Sequence, residues 1–383
     1  MPSSMRTSGD GAAPGAQPTG ARSSGAAAGA AAGLLAGALT ATVRVFELHR
    51  PGAMRVGQRR LPDDGALLRV EATGICGTDH HLYAGRIAAP LPCLLGHEVI
   101  GRLERLPDDH GLVLDGAIAV GDRVLMAPGV PCGDCAGCAA GGRCLDRPCY
   151  GLTMAGDGLT GGLSPYMTLL PGTRVYPVPE HVPAARAVFA EPMACVLSAL
   201  AKAFGPAGPV AGGLVLGFGP IGCCAAVALA AAGGPVTVLE PDAGRRALAG
   251  ELGFATLADA AEAAAVAATA GGFPCIVDAA GTPAAFAGAL ELLAWGGTLV
   301  ELGNFADLGT AAIRPSAICL RDLRVVGSGE TRYEDFPAAI ALVAETPVRL
   351  ERAITDVLDF DAIADPNDLF ASRAAGKAMV TFR

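Results

Sequence analysis

LVLGFGPIGCCAAVALA, residues 214–230, decides the fold. An apolar strand runs into Gly217, Gly219 and Gly222 in G-x-G-x-x-G spacing, and an Ala-rich helix follows. The three glycines have separate physical tasks. Gly217 permits a tight turn, Gly219 lets backbone N–H groups approach a pyrophosphate, and Gly222 allows close helix–strand packing. The helix N-terminus then faces the phosphate charge. The next strand, PVTVLE, ends at Glu240, where a carboxylate would accept hydrogen bonds from ribose hydroxyls and repel a 2′-phosphate. NAD is therefore expected over NADP. Arg245 and Arg246 in the following helix work against that preference, because either has the reach to meet a 2′-phosphate, and Arg245 is counted among the cofactor-binding residues.

Downstream of this turn, CIVDAA and GTLVELG are further short apolar runs separated by Ala-rich stretches. That alternation is expected of a parallel sheet covered by helices on both faces. Upstream the character differs. TVRVFEL, ALLRVEATGI, HEVIGRLERL, DRVLMAP and LSPYMTLL alternate apolar and polar residues between Gly and Pro breaks, which predicts a mostly β domain. The expected organisation is a β-rich domain over residues 41–193, a nucleotide domain over 194–328, and a C-terminal return over 329–383 containing a helix in YEDFPAAIALVAE.

Residues 1–40 are nearly all Ala, Gly, Ser, Pro and Thr, too poor in bulky apolar groups to offset their ordering entropy, and are expected to be disordered. Within them GAAAGAAAGLLAGAL makes a poor secretory segment, being Ala/Gly-rich, late and preceded by little positive charge. A net charge of −9 argues against a nucleic-acid partner. No run approaches the length of strongly apolar residues that a membrane span needs. The clustering of cysteines points to metal in an intracellular, cytoplasmic protein rather than to a disulfide framework.

Two segments carry metal-ligand chemistry. GICGTDHHLYAG presents Cys76, and PLPCLLGHEVIGRLERL presents His97 and Glu98. With a later acid, these supply the S, N and O donors that zinc accepts in open tetrahedral sites. Separately, VPCGDCAGCAAGGRCLDRPCYG holds Cys132, Cys135 and Cys138 at C-x2-C-x2-C spacing, a pattern with few uses beyond tetrahedral metal binding.

In order and spacing these motifs resemble the medium-chain zinc-dependent alcohol dehydrogenases, over roughly residues 42–383. The resemblance implies a GroES-like β-rich catalytic domain joined to a doubly wound Rossmann domain, an α/β architecture. It implies that Cys76 and His97 ligate a catalytic zinc, and that Glu98 binds it directly or exchanges with water. In VFAEPMACVLSAL the EPM run resembles the sorbitol and threonine dehydrogenase branch, which places Glu191 where other members have a cysteine. Cys195 competes for that role but lies one helical turn on. Thr78 and His81 resemble the family's proton relay through the cofactor ribose; His80 is chemically equal, and spacing alone selects His81. For the structural zinc, the family's fourth-cysteine position falls on Asp146 here. Cys144 is preferred to Cys149, because it closes the shorter Gly-containing loop.

The expected function is thus an NAD-linked, zinc-dependent dehydrogenase with one catalytic and one structural zinc. It would interconvert a small secondary alcohol, a polyol or amino alcohol, with its ketone, in a homodimer or homotetramer. Presence of all the catalytic-zinc ligands speaks against a zinc-free reductase of this fold. Keeping Thr78 beside them speaks against a non-catalytic NAD-binding protein.

Overall fold

The computed structural model describes residues 41–383, apart from 141–143, 145–146, 206–207, 209–211, 305 and 372–374. The leader expected to be disordered lies outside the described residues.

Gly213–Leu216 is a wholly buried strand at the centre of a six-stranded parallel sheet. The other members are Val236–Leu239, Ala255–Leu257, Phe273–Asp278, Leu293–Glu301 and Arg324–Gly327. Counted by position in the chain, their spatial order is 3-2-1-4-5-6, and each adjacent pair is parallel. Such an order opens a crevice at the carboxyl ends of the first and fourth strands, where the winding reverses. The quoted turn sits at that point. Gly217 adopts φ +84°, and a Cβ on Gly222 would lie 2.1 Å from the Gly217 carbonyl oxygen, so both positions require glycine. Pro220 opens the following helix, Pro220–Ala231, where its missing N–H costs nothing.

The β-rich part is built around Ala66–Gly74. This strand pairs antiparallel with Glu98–Arg105, Tyr166–Leu169 and Lys377–Thr381. Arg123–Met126 and Arg174–Pro177 extend the sheet, over a core that includes Leu68, Val70, Val99, Leu103, Val124 and Met167. Strand Lys377–Thr381 brings the chain's last residues beside Gly74, a contact that proves important for the site. Thr42–Arg50, Ala53–Arg60 and Cys93–Leu94 form a separate three-stranded sheet.

Helix Ala190–Phe204 packs between the two halves, against Pro220–Ala231 and Phe336–Glu345, in the largest apolar cluster. Together with the turn before it, this helical stretch is long and apolar enough to cross a bilayer, but 72% of the span is buried inside the fold. It serves as a core element. The YEDFPAAIALVAE segment splits: Tyr333–Asp335 forms a 3-10 turn, and the α-helix starts only at Phe336, with Pro337 in its first turn. Pro337 is accommodated there because a first-turn residue needs no N–H partner within the helix.

Candidate active site

Cys76 caps the short helix Gly77–Tyr83 directly after strand Ala66–Gly74, and His97 and Glu98 open strand Glu98–Arg105 beside it. Because these strands are register partners, with Gly74 opposite Glu98, two segments some twenty residues apart reach one point. One donor atom from each of Cys76, His97 and Glu98 lies within 4.8 Å of the others. Thiolate, imidazole and carboxylate are the donor set of an open zinc site, so the residues fit that ion.

Asp79 ties the two segments together. It is fully buried; its Oδ2 accepts the Cys76 N–H at 2.8 Å, and its Oδ1 accepts the Gly96 N–H at 3.3 Å. The same Oδ1 stands 3.6 Å from His97 Nδ1, which leaves the other ring nitrogen for the cleft. Burial opposes both charges, but the pair's mutual attraction wins. Asp79 is held below its usual range, and His97 is raised well above its own, aided by Cys76. Asp79 stands inside the GICGTDHH motif as the third residue after Cys76, so a carboxylate able to orient a ligand imidazole was legible there.

Lys377 had no such signal. It is buried, 279 positions from Glu98, and its Nζ donates to Glu98 Oε2. Burial works against its charge, yet Glu98 and Cys76 outweigh that and raise its pKa. The pair fits because Gly74 has no side chain; a Cβ there would meet Glu98 Oε2 at 2.1 Å and Lys377 Cε at 2.5 Å.

Glu191 lies outside the three-donor group but faces the same cleft from the first turn of its helix. Burial, reinforced by the charge of Glu98, pushes its carboxyl up to about 7 against the pull of His97 and Lys377. Cys195, the competing residue, is engaged elsewhere: its Sγ lies 2.9 Å from Thr331 Oγ1 and donates to Glu191 Oε1 at 3.6 Å. Thr78 Oγ1 lies 3.6 Å from Cys76 Sγ. His80 and His81 both line the cleft, but they differ in contacts. The His80 ring packs edge-on against Phe370 at 5.3 Å, whereas His81 Nδ1 lies 3.4 Å from Arg86 Nη1.

A single cleft of about 870 Å³ joins these groups to Gly217, Gly219, Glu240 and Arg245. A Cβ on Gly219 would meet nothing within 4 Å, so the turn is open toward the cleft where a phosphate would approach. Glu240 is buried, and it does more than end a strand. Its Oε2 accepts the Phe218 N–H at 2.7 Å and its Oε1 the Asp242 N–H at 2.9 Å, so it props the glycine turn itself. Each oxygen keeps a second lone pair for a ribose hydroxyl. The wall near the catalytic donors carries polar groups that sequence reasoning missed. Arg147 Nη1 pairs with Glu330 Oε1 at 3.1 Å, and Tyr333 donates to the Gly129 carbonyl at 3.0 Å.

In the cysteine lobe, donor atoms of Cys132, Cys135, Cys138 and Cys144 all lie within 4.8 Å of one another. Cys144 Sγ is 3.4 Å from Cys132 Sγ and 4.0 Å from Cys135 Sγ. Cys149 is instead buried beside the cleft, with its N–H on Thr153 Oγ1. All twelve cysteines are free thiols.

Comparison with known proteins shows the family to which the chain belongs. Residues 62–180 match the family model of the alcohol dehydrogenase GroES-like domain, and residues 220–345 match that of the zinc-binding dehydrogenases. The chain is 32% identical to D-altritol 5-dehydrogenase of Agrobacterium fabrum, over 74% of this chain and 82% of that one. It is 29% identical to L-galactonate-5-dehydrogenase of Escherichia coli, covering 89% of this chain and 100% of the relative. Among solved structures, a putative zinc-binding dehydrogenase from Sinorhizobium meliloti bound to NADP superposes with a TM-score of 0.77 at 27% identity, covering 89% of this chain and 99% of that one.

Proposed function

Because this chain belongs to the medium-chain zinc-dependent alcohol dehydrogenases, we propose that it interconverts a polyhydroxylated secondary alcohol and its ketone with NAD as hydride partner. The observation that carries the reading is one continuous cleft, with Cys76, His97 and Glu98 at one end and the Gly217–Gly222 turn with Glu240 at the other. Bound zinc supplies Lewis acidity toward a substrate oxygen, and the nicotinamide supplies a hydride acceptor or donor.

The chain's own residues do the rest. Cys76, His97 and Glu191 would hold the metal, Glu191 from the helix that faces the same cleft. Glu98 would bind the metal directly or exchange with water, and Lys377 holds its carboxylate beside the site. Asp79 fixes the orientation of the His97 ring. Thr78 Oγ1 would accept the alcohol proton while passing its own hydroxyl proton onward, and His81 at the helix end would take up the relayed proton and release one to solvent. His80 is spent on its packing with Phe370. Cys132, Cys135, Cys138 and Cys144 hold a structural zinc.

Glu240, buried against the ribose end of the cleft, disfavours a 2′-phosphate, while Arg245 on the same wall pulls the other way; we assign NAD on the strength of Glu240. The substrate assignment is supported by the Arg147–Glu330 pair, which offers a donor and an acceptor side by side to vicinal hydroxyls. Relatives named for altritol and galactonate oxidation point the same way. Assembly into a homodimer or homotetramer is part of the proposal. It is supported by exposed Trp295, Leu320 and Val325 around edge strand Arg324–Gly327.

The test is a screen of NAD and NADP reduction over polyols, sugar acids, amino alcohols and simple secondary alcohols, with zinc content measured on the same protein. Turnover of a polyol with NAD, at about two zinc ions per chain, is the expected result. Turnover that survives complete removal of metal would overturn the mechanism, and a preference for NADP would overturn the role given to Glu240.

A further inference from the structure

Two acids stand together under the cofactor cleft with no part in the chemistry above. Asp278 ends strand Phe273–Asp278, Glu301 ends strand Leu293–Glu301, and the two are register partners in the parallel ladder. Partners in register project to the same face, so their side chains are neighbours.

One oxygen of each carboxyl is committed to the loop that follows it. Asp278 Oδ1 accepts the Ala280 N–H at 2.9 Å. Glu301 Oε1 accepts the Gly303 and Asn304 N–H groups, both at 2.9 Å. The remaining oxygens, Asp278 Oδ2 and Glu301 Oε2, are sealed from solvent and make no hydrogen bond, although the Gly281 N–H also favours the Asp278 carboxylate. Two facing carboxylates cannot satisfy each other, and burying both as anions is costly. A single proton between them resolves both problems. Burial and the charge of Glu301 accordingly push Asp278 up to about 7.

Neighbouring elements bring little compensating charge. Leu216 flanks Asp278 on one side, and Gly327 flanks Glu301 on the other. Lys202, from helix Ala190–Phe204, spends its ammonium on Ser328 Oγ and the Glu330 carbonyl. Glu291, in helix Pro283–Leu292, pairs with Arg314. Arg324 lies at the opposite end of its strand, beside Thr298. Glu240 is occupied by Phe218 and Asp242, and burial raises the Cys223 and Cys224 thiols of helix Pro220–Ala231 so that they stay neutral.

The two loops held by this pair are part of the cleft, where Ala279, Ala280, Leu302 and Gly303 all line it. They also touch each other and the glycine turn. A Cβ on Gly303 would lie 2.3 Å from the Gly281 nitrogen, and one on Gly217 would lie 3.0 Å from Ala280 Cα. We propose that Asp278 and Glu301 share one proton and act as a positioning pair, locking the loops after their strands into the shape that receives the dinucleotide. Loss of that proton sets two buried anions against each other and loosens the floor of the cleft. The proposal rests on the reading of this cleft as the dinucleotide site.

NADH fluorescence titrations of the full chain from about pH 6 to about pH 9 test it, alongside Glu301→Gln and Asp278→Asn. In the wild type the Kd for NADH is expected to rise roughly five- to tenfold across that range. In either variant the amide supplies a hydrogen at every pH, so the Kd stays level. The melting temperature of the cofactor-free protein gives a second readout. A carboxyl whose folded pKa is raised stabilises at low pH and loses that contribution as pH climbs through about 7. Wild-type melting therefore falls over that interval more than that of the variants. Parallel pH profiles for wild type and both variants, in binding and in melting, would overturn the shared proton. Should NADH fail to bind even at the acid end, the dinucleotide reading falls instead, and the melting comparison alone decides the pair.

Discussion

The two metal-competent clusters among the described residues are opposites in construction. Cys132, Cys135, Cys138 and Cys144 come from one short segment, and only Cys144 among them is buried. Cys76 comes from one segment and His97 and Glu98 from another, and their supports, Asp79 and Lys377, are wholly enclosed by the fold. A cluster of the first kind depends on its ion to order the lobe, because little apolar surface is available to do so. One of the second kind is shaped by strand register and buried ion pairs before any ion binds. The first should therefore be sensitive to chelation in its structure, and the second in its chemistry.

Substitutions can break or sharpen that contrast. The largest effect is expected from Cys76→Ala or His97→Ala: alcohol turnover falls by about 10³-fold or more, while NADH fluorescence titration stays near wild type; His97→Ala also lowers melting, because it strands the buried Asp79 carboxylate. If either variant keeps full rates, the metal is held elsewhere. Next comes Lys377→Ala, which strands the Glu98 carboxylate in the interior; it should lower unfolding free energy by ~3–5 kcal/mol in denaturant titration. The double variant with Glu98→Gln should recover much of that loss, whereas no recovery would mean that the pair is not coupled.

Smaller is the expected response to Cys144→Ser. Zinc content drops by about one ion per chain and the lobe becomes open to protease, with turnover initially retained, whereas Cys149→Ser leaves zinc content unchanged. The reverse pattern would transfer the fourth ligand to Cys149. Smallest is Glu240→Ala. It removes hydrogen bonds to the ribose and the prop under Phe218, so NAD binding should weaken about tenfold and the gap to NADP narrow. An unchanged ratio of the two cofactors would leave Glu240 with the structural part alone.

Legibility from sequence followed the range of the interactions. The dinucleotide turn was readable because strand, turn and helix are contiguous; Gly217 and Gly222 answer steric demands there, whereas Gly219 leaves the turn open. Cys132, Cys135 and Cys138 were readable for the same reason, and the choice of Cys144 over Cys149 followed from loop closure. Asp79 was legible but unread: it sits in the quoted motif, and its task appears only when Gly96 and His97 are brought beside it. Lys377, the Arg147–Glu330 pair and the facing Asp278 and Glu301 had no local signature. Each pair is made by register or by strand order between distant segments.

From the chain alone came the α/β class, the glycine turn, the cysteine loop and the chemical identity of the candidate metal donors, since each is encoded within a few adjacent residues. Folding decided which acids meet which cations, how the last strand reaches Glu98, and where two carboxyls share a sealed space. The physical reason is that backbone sterics and side-chain type act locally, whereas burial, electrostatic pairing and desolvation exist only between groups that tertiary packing has already made neighbours.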